Sequence, residues 1–122
     1  MMTREELIAA LQAAKEPSES LDLAIAEWCF ENGGVGGINY DPEWWVARNG
    51  GFTGSVDGTL ALMPSGCAYI LGRSKTQPDE PQFGAQVFRD MSGLEVLGEG
   101  ESDAHLAIAL LLAILQARAA VA

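Results

Sequence analysis

Apolar positions in this chain recur at helical spacing in both terminal parts and at strand spacing in between. Thr3 and Glu6 form an S/T-x-x-E capping box ahead of Leu7, Ile8 and Leu11, which predicts a first helix from about Arg4 to Lys15. Pro17 and Ser18 break it. Leu21, Ala24, Ile25 and Trp28 then fall at i, i+3, i+4 and i+7, one stripe of a second helix, with Ser20 as its cap and Asn32-Gly33-Gly34 as its end. Asp22, Glu27 and Glu31 fall off that stripe. Ser55 is placed to cap a short helix over Val56 to Met63, although Gly58 inside it costs about 1 kcal/mol against Ala.

After the Pro64-Ser65-Gly66 turn the period changes. Cys67 to Leu71 is continuously apolar, the pattern of a strand covered on both faces. Residues 74 to 81 are polar and read as a loop. Phe83, Ala85 and Val87 alternate with Gly84, Gln86 and Phe88 as a second strand, and Leu94 to Leu97 is a shorter third. Gly98 to Glu101 reads as a lead-in to Ser102, the cap of a last helix over about Asp103 to Arg118. That helix is apolar nearly all round, so it is buried on more than one side, either between sheet and helix or between two subunits. Short links between strands favour an antiparallel meander. The expected fold is α+β: one domain over residues 1–122, a three-stranded antiparallel sheet with helices on both faces (an αβα sandwich) and a long buried C-terminal helix. Residues 33–51 form an insertion hinged by glycines, in which Asp41-Pro42 starts one helical turn carrying an aromatic knob.

Composition narrows the function classes. The 122 residues include 17 acids and 7 bases, a net charge of −10. That balance argues against direct binding of duplex DNA, which needs Lys and Arg to displace counterions. The start, Met1-Met2-Thr3-Arg4-Glu5-Glu6, does not read as a secretory leader. The longest apolar run, Leu106 to Leu115, is ten residues, against about 20 for a membrane span. The cytoplasm is the expected compartment, with Cys29 and Cys67 as reduced thiols.

Candidate chemistry is sparse. His105 is the only histidine, and its place near the start of the last helix suits a residue packed at the core edge. The two cysteines are far apart, without C-x-x-C or H-x-x-x-H spacing, so no metal or other cofactor is expected. Gly33-Gly34-Val35-Gly36-Gly37 follows a helix and lacks the phosphate-loop pattern, while Glu99, Glu101 and Asp103 would repel a phosphate at the last helix. The carboxylate pairs read as a solvated acidic surface. With no paired nucleophile and base, the chain is read as non-enzymatic. The sharpest local feature is Tyr40, Trp44, Trp45 and Arg48, residue types that dominate binding hot spots, gathered within nine positions. On one helical turn, adjacent tryptophans point about 100° apart, so one is expected inside and one outside. Arg73, followed by Lys75, is a further candidate for ligand or partner binding.

Three blocks carry a family resemblance: Leu21-Asp22-Leu23-Ala24-Ile25-Ala26, Phe52-Thr53-Gly54-Ser55-Val56-Asp57-Gly58-Thr59-Leu60-Ala61-Leu62-Met63-Pro64-Ser65-Gly66, and the closing helix from Glu101 to Leu110. In order and spacing they resemble the phage αβα-sandwich domain group of small phage and prophage proteins. Phe52 stands for the group's usual Tyr, Gly58 for Ala, and segment 33–51 has no counterpart. The resemblance implies an αβα fold, no catalytic residues, and a setting in the cytoplasm of a bacterial host. By analogy with small phage accessory proteins, the expected role is binding and inhibiting a host nucleic-acid-handling defence complex, as an anti-CRISPR does, through acidic charge and the aromatic knob. The alternatives are a sponge for a cyclic-nucleotide defence signal, with Arg48, Arg73 or Arg118 holding phosphate, and a structural or assembly accessory. A homo-oligomer through the C-terminal helix is a further expectation.

Overall fold

A computed structural model describes residues 2–35, 38–49, 51–73, 81–93 and 95–121, with the side chains of Asn49 and Arg73 outside that description. The first helix, α1 (Arg4–Ala13), starts as the capping box predicts: Glu6 N donates to Thr3 Oγ1 at 3.2 Å and Thr3 N donates to Glu6 Oε1 at 3.0 Å. The second, α2 (Glu19–Glu31), is capped by Ser18, not Ser20. Leu21 N donates to Ser18 Oγ, while Ser18 N is itself tied to Thr53 Oγ1 at 2.8 Å, which fixes Ser18 in an extended conformation at the helix start. The aromatic insertion forms α3 (Pro42–Asn49), two turns where the sequence suggested one. The helix α4 (Val56–Leu60) is short, with Ser55 Oγ accepting from Gly58 N as expected of a cap.

The sheet is the expected meander, β1 (Ala68–Arg73), β2 (Phe83–Phe88) and β3 (Val96–Ser102), antiparallel throughout in the order β1-β2-β3. Gly98 and Gly100 belong to β3 instead of leading into the last helix. That helix, α5 (Leu106–Val121), begins later than Asp103 because Ser102 Oγ accepts from the amides of Ala104 and His105 in the turn before it. His105 caps further, its Nδ1 accepting from Ala107 N at 3.0 Å.

The packing explains the glycines. A Cβ at Gly98 or Gly100 would fall well inside contact distance of the carbonyl oxygens of Ala113 and Ala109, so only glycine lets the α5 backbone lie directly on β3. Their register partners, Val87 and Ala85, are buried on the same face. On its other side α5 meets α1 and α4, and with α2 they form one core through Leu7, Leu11, Ile25, Cys29 and Leu62. Every residue from Ala107 to Leu115 is buried within the single chain, so α5 lies between sheet and helices, and a second subunit is not needed to cover it.

The α+β architecture and the long buried helix are as expected. Two details differ. Only one sheet face is covered by α5. The opposite face presents Ile70, 58% exposed, with Gln86, Glu99 and Glu101. β1 is not sandwiched: it is an edge strand, because the meander places β2, not β1, in the centre. Its apolar run is half solvent-facing, with Tyr69 at 44%.

Asp22 also departs from the pattern, which placed it off the apolar stripe. It is buried, and its Oδ1 accepts from Phe52 N at 3.0 Å and Thr53 N at 2.7 Å. Gly51, at φ +87°, has no room for a Cβ beside the Asp22 carboxylate. Thr59 Oγ1 donates to the carbonyl of Phe52 or Ser55. Residues of the first two resemblance blocks thus hold each other through buried hydrogen bonds, which makes their role structural.

Candidate functional site

The site is built on α3. Its first turn is set by Asp41, whose Oδ2 accepts from Trp44 N at 3.0 Å, ahead of Pro42 with its fixed φ. No described side chain of α3 is fully buried, and the helix is joined to the body through α2. The joint is aromatic. The Trp45 ring stands edge-on to Phe30 of α2, with centroids 5.6 Å apart, and lies 4.8 Å from Tyr40. Tyr40 is edge-on to Phe30 at 5.7 Å. Such pairs contribute about 0.5–1.5 kcal/mol each beyond the area they bury.

Trp44 points the other way. It is 49% exposed and stacks on Tyr40 at 6.0 Å with the rings 15° from parallel. The Arg48 guanidinium, one turn later, lies 5.7 Å from its centroid in a cation–π contact. One tryptophan anchors the lobe and the other is displayed, as the angular argument requires. The tyrosine beneath and the arginine beside hold the displayed indole in place. Beside this platform, between α3 and the start of α2, is an open cleft of about 600 Å³ lined by Leu23, Val46 and Ala47 with Glu19 and Glu43 at its rim.

The structure therefore unites Tyr40, Trp44, Trp45 and Arg48. Arg73 ends β1, a different element; its side chain and the whole of Lys75 lie outside the described residues. Phe30 was missed. It lies off the Leu21/Trp28 stripe, but Ala26, Cys29 and Phe30 form a second apolar stripe at i, i+3 and i+4, which was the signal.

Arg118 is placed against the role of phosphate ligand. Its Nη1 donates to the carbonyl of Leu62 at 3.0 Å, and its Nη2 to those of Gly34 at 2.8 Å, Asn32 at 3.0 Å and Cys29 at 3.4 Å. It closes the negative C-terminal end of α2 and ties it to the residues after α4. Arg89 is paired with Glu95 at 2.6 Å and Arg4 with Glu5 at 3.0 Å. Burial pushes the Cys29 thiol up to about 11, against the opposing pull of Arg118, and burial also raises Cys67. Both are held as neutral thiols near pH 7. Among the described residues, no group of three His, Cys, Asp or Glu side chains stands where it could hold a metal ion, and no helix is long and apolar enough to cross a membrane.

In comparisons with family models, curated proteins and solved structures, nothing matches this chain. The likeness to the phage αβα-sandwich group rests on the quoted residue blocks alone.

Proposed function

We propose that the chain is a non-enzymatic binding protein that uses the α3 platform to dock on a basic protein surface. One observation carries this reading: an indole half open to solvent and already immobilised between Tyr40 and Arg48. Fixing an aromatic side chain before binding lowers the entropy lost on association, and Trp, Tyr and Arg are the types that supply hot-spot energy. The charge of −10 supplies long-range attraction to a cationic partner. In the setting that the resemblance implies, that partner is a host defence complex whose basic nucleic-acid groove is occluded by an acidic body, in the bacterial cytoplasm. A nucleotide sponge would need cations gathered round the aromatic platform. Arg48 is the described one there, and Arg118 is committed to backbone carbonyls, which favours the protein partner.

The test is affinity capture from a defence-positive bacterial host, followed by reconstitution with the captured complex. The expected result is a nucleic-acid-handling complex whose binding weakens as salt rises and whose dissociation constant increases about 30-fold in Trp44→Ala. Binding that ignores both Trp44→Ala and salt, or capture that never yields such a complex, overturns the reading.

A further inference from the structure

The cleft between α3 and the start of α2 combines apolar walls with three carboxylates. Leu23, Val46 and Ala47 make its sides apolar, and Glu19 and Glu43 stand exposed at the rim. Asp22, 7% exposed, is the buried one of the three. Both amides that Asp22 receives, from Phe52 and Thr53, go to Oδ1, and Oδ2 accepts from no described donor. Gly51 also lines the cleft, and a Cβ there would lie against Oδ2, so the glycine leaves that oxygen uncovered. Among the described residues no Lys or Arg lines the cleft, and the ion pairs are Arg4–Glu5 and Arg89–Glu95, so none of the three acids has a counter-ion from this chain. A carboxylate buried this far costs free energy unless it is compensated, and here one oxygen of the two is compensated.

We propose that this cleft receives a lysine or arginine side chain of the partner protein, its alkyl stem against Leu23, Val46 and Ala47 and its cationic head donating to Asp22 Oδ2 and the rim glutamates. The proposal rests on the docking reading above, which supplies the basic partner. The chemistry of the cleft selects among occupants. A phosphate or nucleotide is repelled by three carboxylates, even though the start of α2 is close by. A compact divalent cation is poorly served, because among the described residues no three acids stand close enough to hold one together. An extended cation meets both features: its head reaches a carboxylate while its methylenes cover apolar surface. The cleft shares α3 with Trp44 and Arg48, so one partner surface can meet the platform and the cleft at the same time.

Titration of the isotope-labelled chain with Nα-acetyl-lysine methylamide, read by backbone amide chemical shifts, tests this without any captured complex. Nα-acetyl-norleucine methylamide, which has the stem but no ammonium, is the control. The lysine probe is expected to give saturating shifts at the amides of Leu23, Ala47 and Gly51, with a dissociation constant of roughly millimolar order that rises with salt. The norleucine probe should bind about tenfold more weakly or not at all. Glu19→Gln combined with Glu43→Gln is expected to raise the constant about fivefold. Asp22→Asn, which keeps an acceptor for the Phe52 and Thr53 amides, should raise it by a similar factor. Glu101→Gln, an exposed acid on the open face of the sheet, should leave it unchanged, and circular dichroism checks that each variant is folded. Equal binding of the two probes, shifts spread evenly over the acidic surface, or a constant unmoved by both the glutamate pair and Asp22→Asn overturns the inference. A flat titration does so as well and leaves the platform reading standing, whereas saturable lysine binding beside a failed capture overturns the platform reading alone.

Discussion

In the body built round α5, Arg118 spends its hydrogen bonds on carbonyls of its own chain, whereas in the α3 lobe Arg48 lies over an indole that solvent still reaches. The same contrast runs through the other residues. Asp22, Thr59 and Gln116 are tied to backbone groups inside the body, and Leu110, Leu111 and Ile114 are fully buried there. No described side chain of α3 is fully buried, and the lobe's rings contact one another and Phe30 of α2. Side chains that satisfy backbone groups make the body self-sufficient. Rings stacked at the periphery leave Trp44 half open to solvent.

That contrast can be broken at its strongest point by Leu111→Ala, which opens a cavity in the core around α5 and is expected to lower unfolding stability by about 2–5 kcal/mol in urea melts. Arg118→Ala comes next. It leaves the carbonyls of Leu62, Asn32 and Gly34 without their donor, and a loss of about 2–3 kcal/mol is expected, with Arg118→Lys recovering only part because an ammonium cannot span the same fork. Asp22→Ala should cost about 1–3 kcal/mol by orphaning two buried amides, while Asp22→Asn, which keeps an acceptor oxygen, should cost clearly less. Trp44→Ala sharpens the comparison from the other side: the loss of its stacking on Tyr40 is expected to cost about 1 kcal/mol in melts, less than the buried substitutions, with the larger effect on partner binding. The smallest effect is at Glu6. The hydrogen bonds from the Thr3 backbone and side chain hold its carboxyl below the usual 4.5, so its contribution is present above that value and lost as pH falls through the lowered one. Glu6→Gln should remove that part of the acid-induced loss of helicity, read by circular dichroism.

Much of this organisation was legible locally. The Thr3/Glu6 box, the Ser55 cap and the period-2 run of β2 each depend on neighbours a few residues away, and each formed where the pattern put it. The misreadings have a common cause in distant partners. Glycine is a poor strand former, so Gly98-Glu99-Gly100-Glu101 read as a loop; only the approach of the α5 backbone turns that alternation into glycine inward and glutamate outward. The apolar run of β1 read as a covered strand, since a sequence shows hydrophobicity but not which strand takes the centre. Asp22 read only as off the apolar stripe and Arg118 as a candidate phosphate ligand, because their hydrogen-bond partners lie about 30 to 90 positions away in the chain. In the site, the division of labour between Trp44 and Trp45 followed from helix geometry, but Phe30, the residue that decides which of them turns inward, did not.

The Gln116 amide on Glu99 has one further result. A sheet open at both sides could add copies without end and grow into a fibre, as unprotected edges do in aggregates. On β3 the backbone groups of Glu99 are already bonded to the chain's own last helix, so that point of the edge is closed to another strand. A single glutamine side chain thereby guards one edge of the sheet against strand addition.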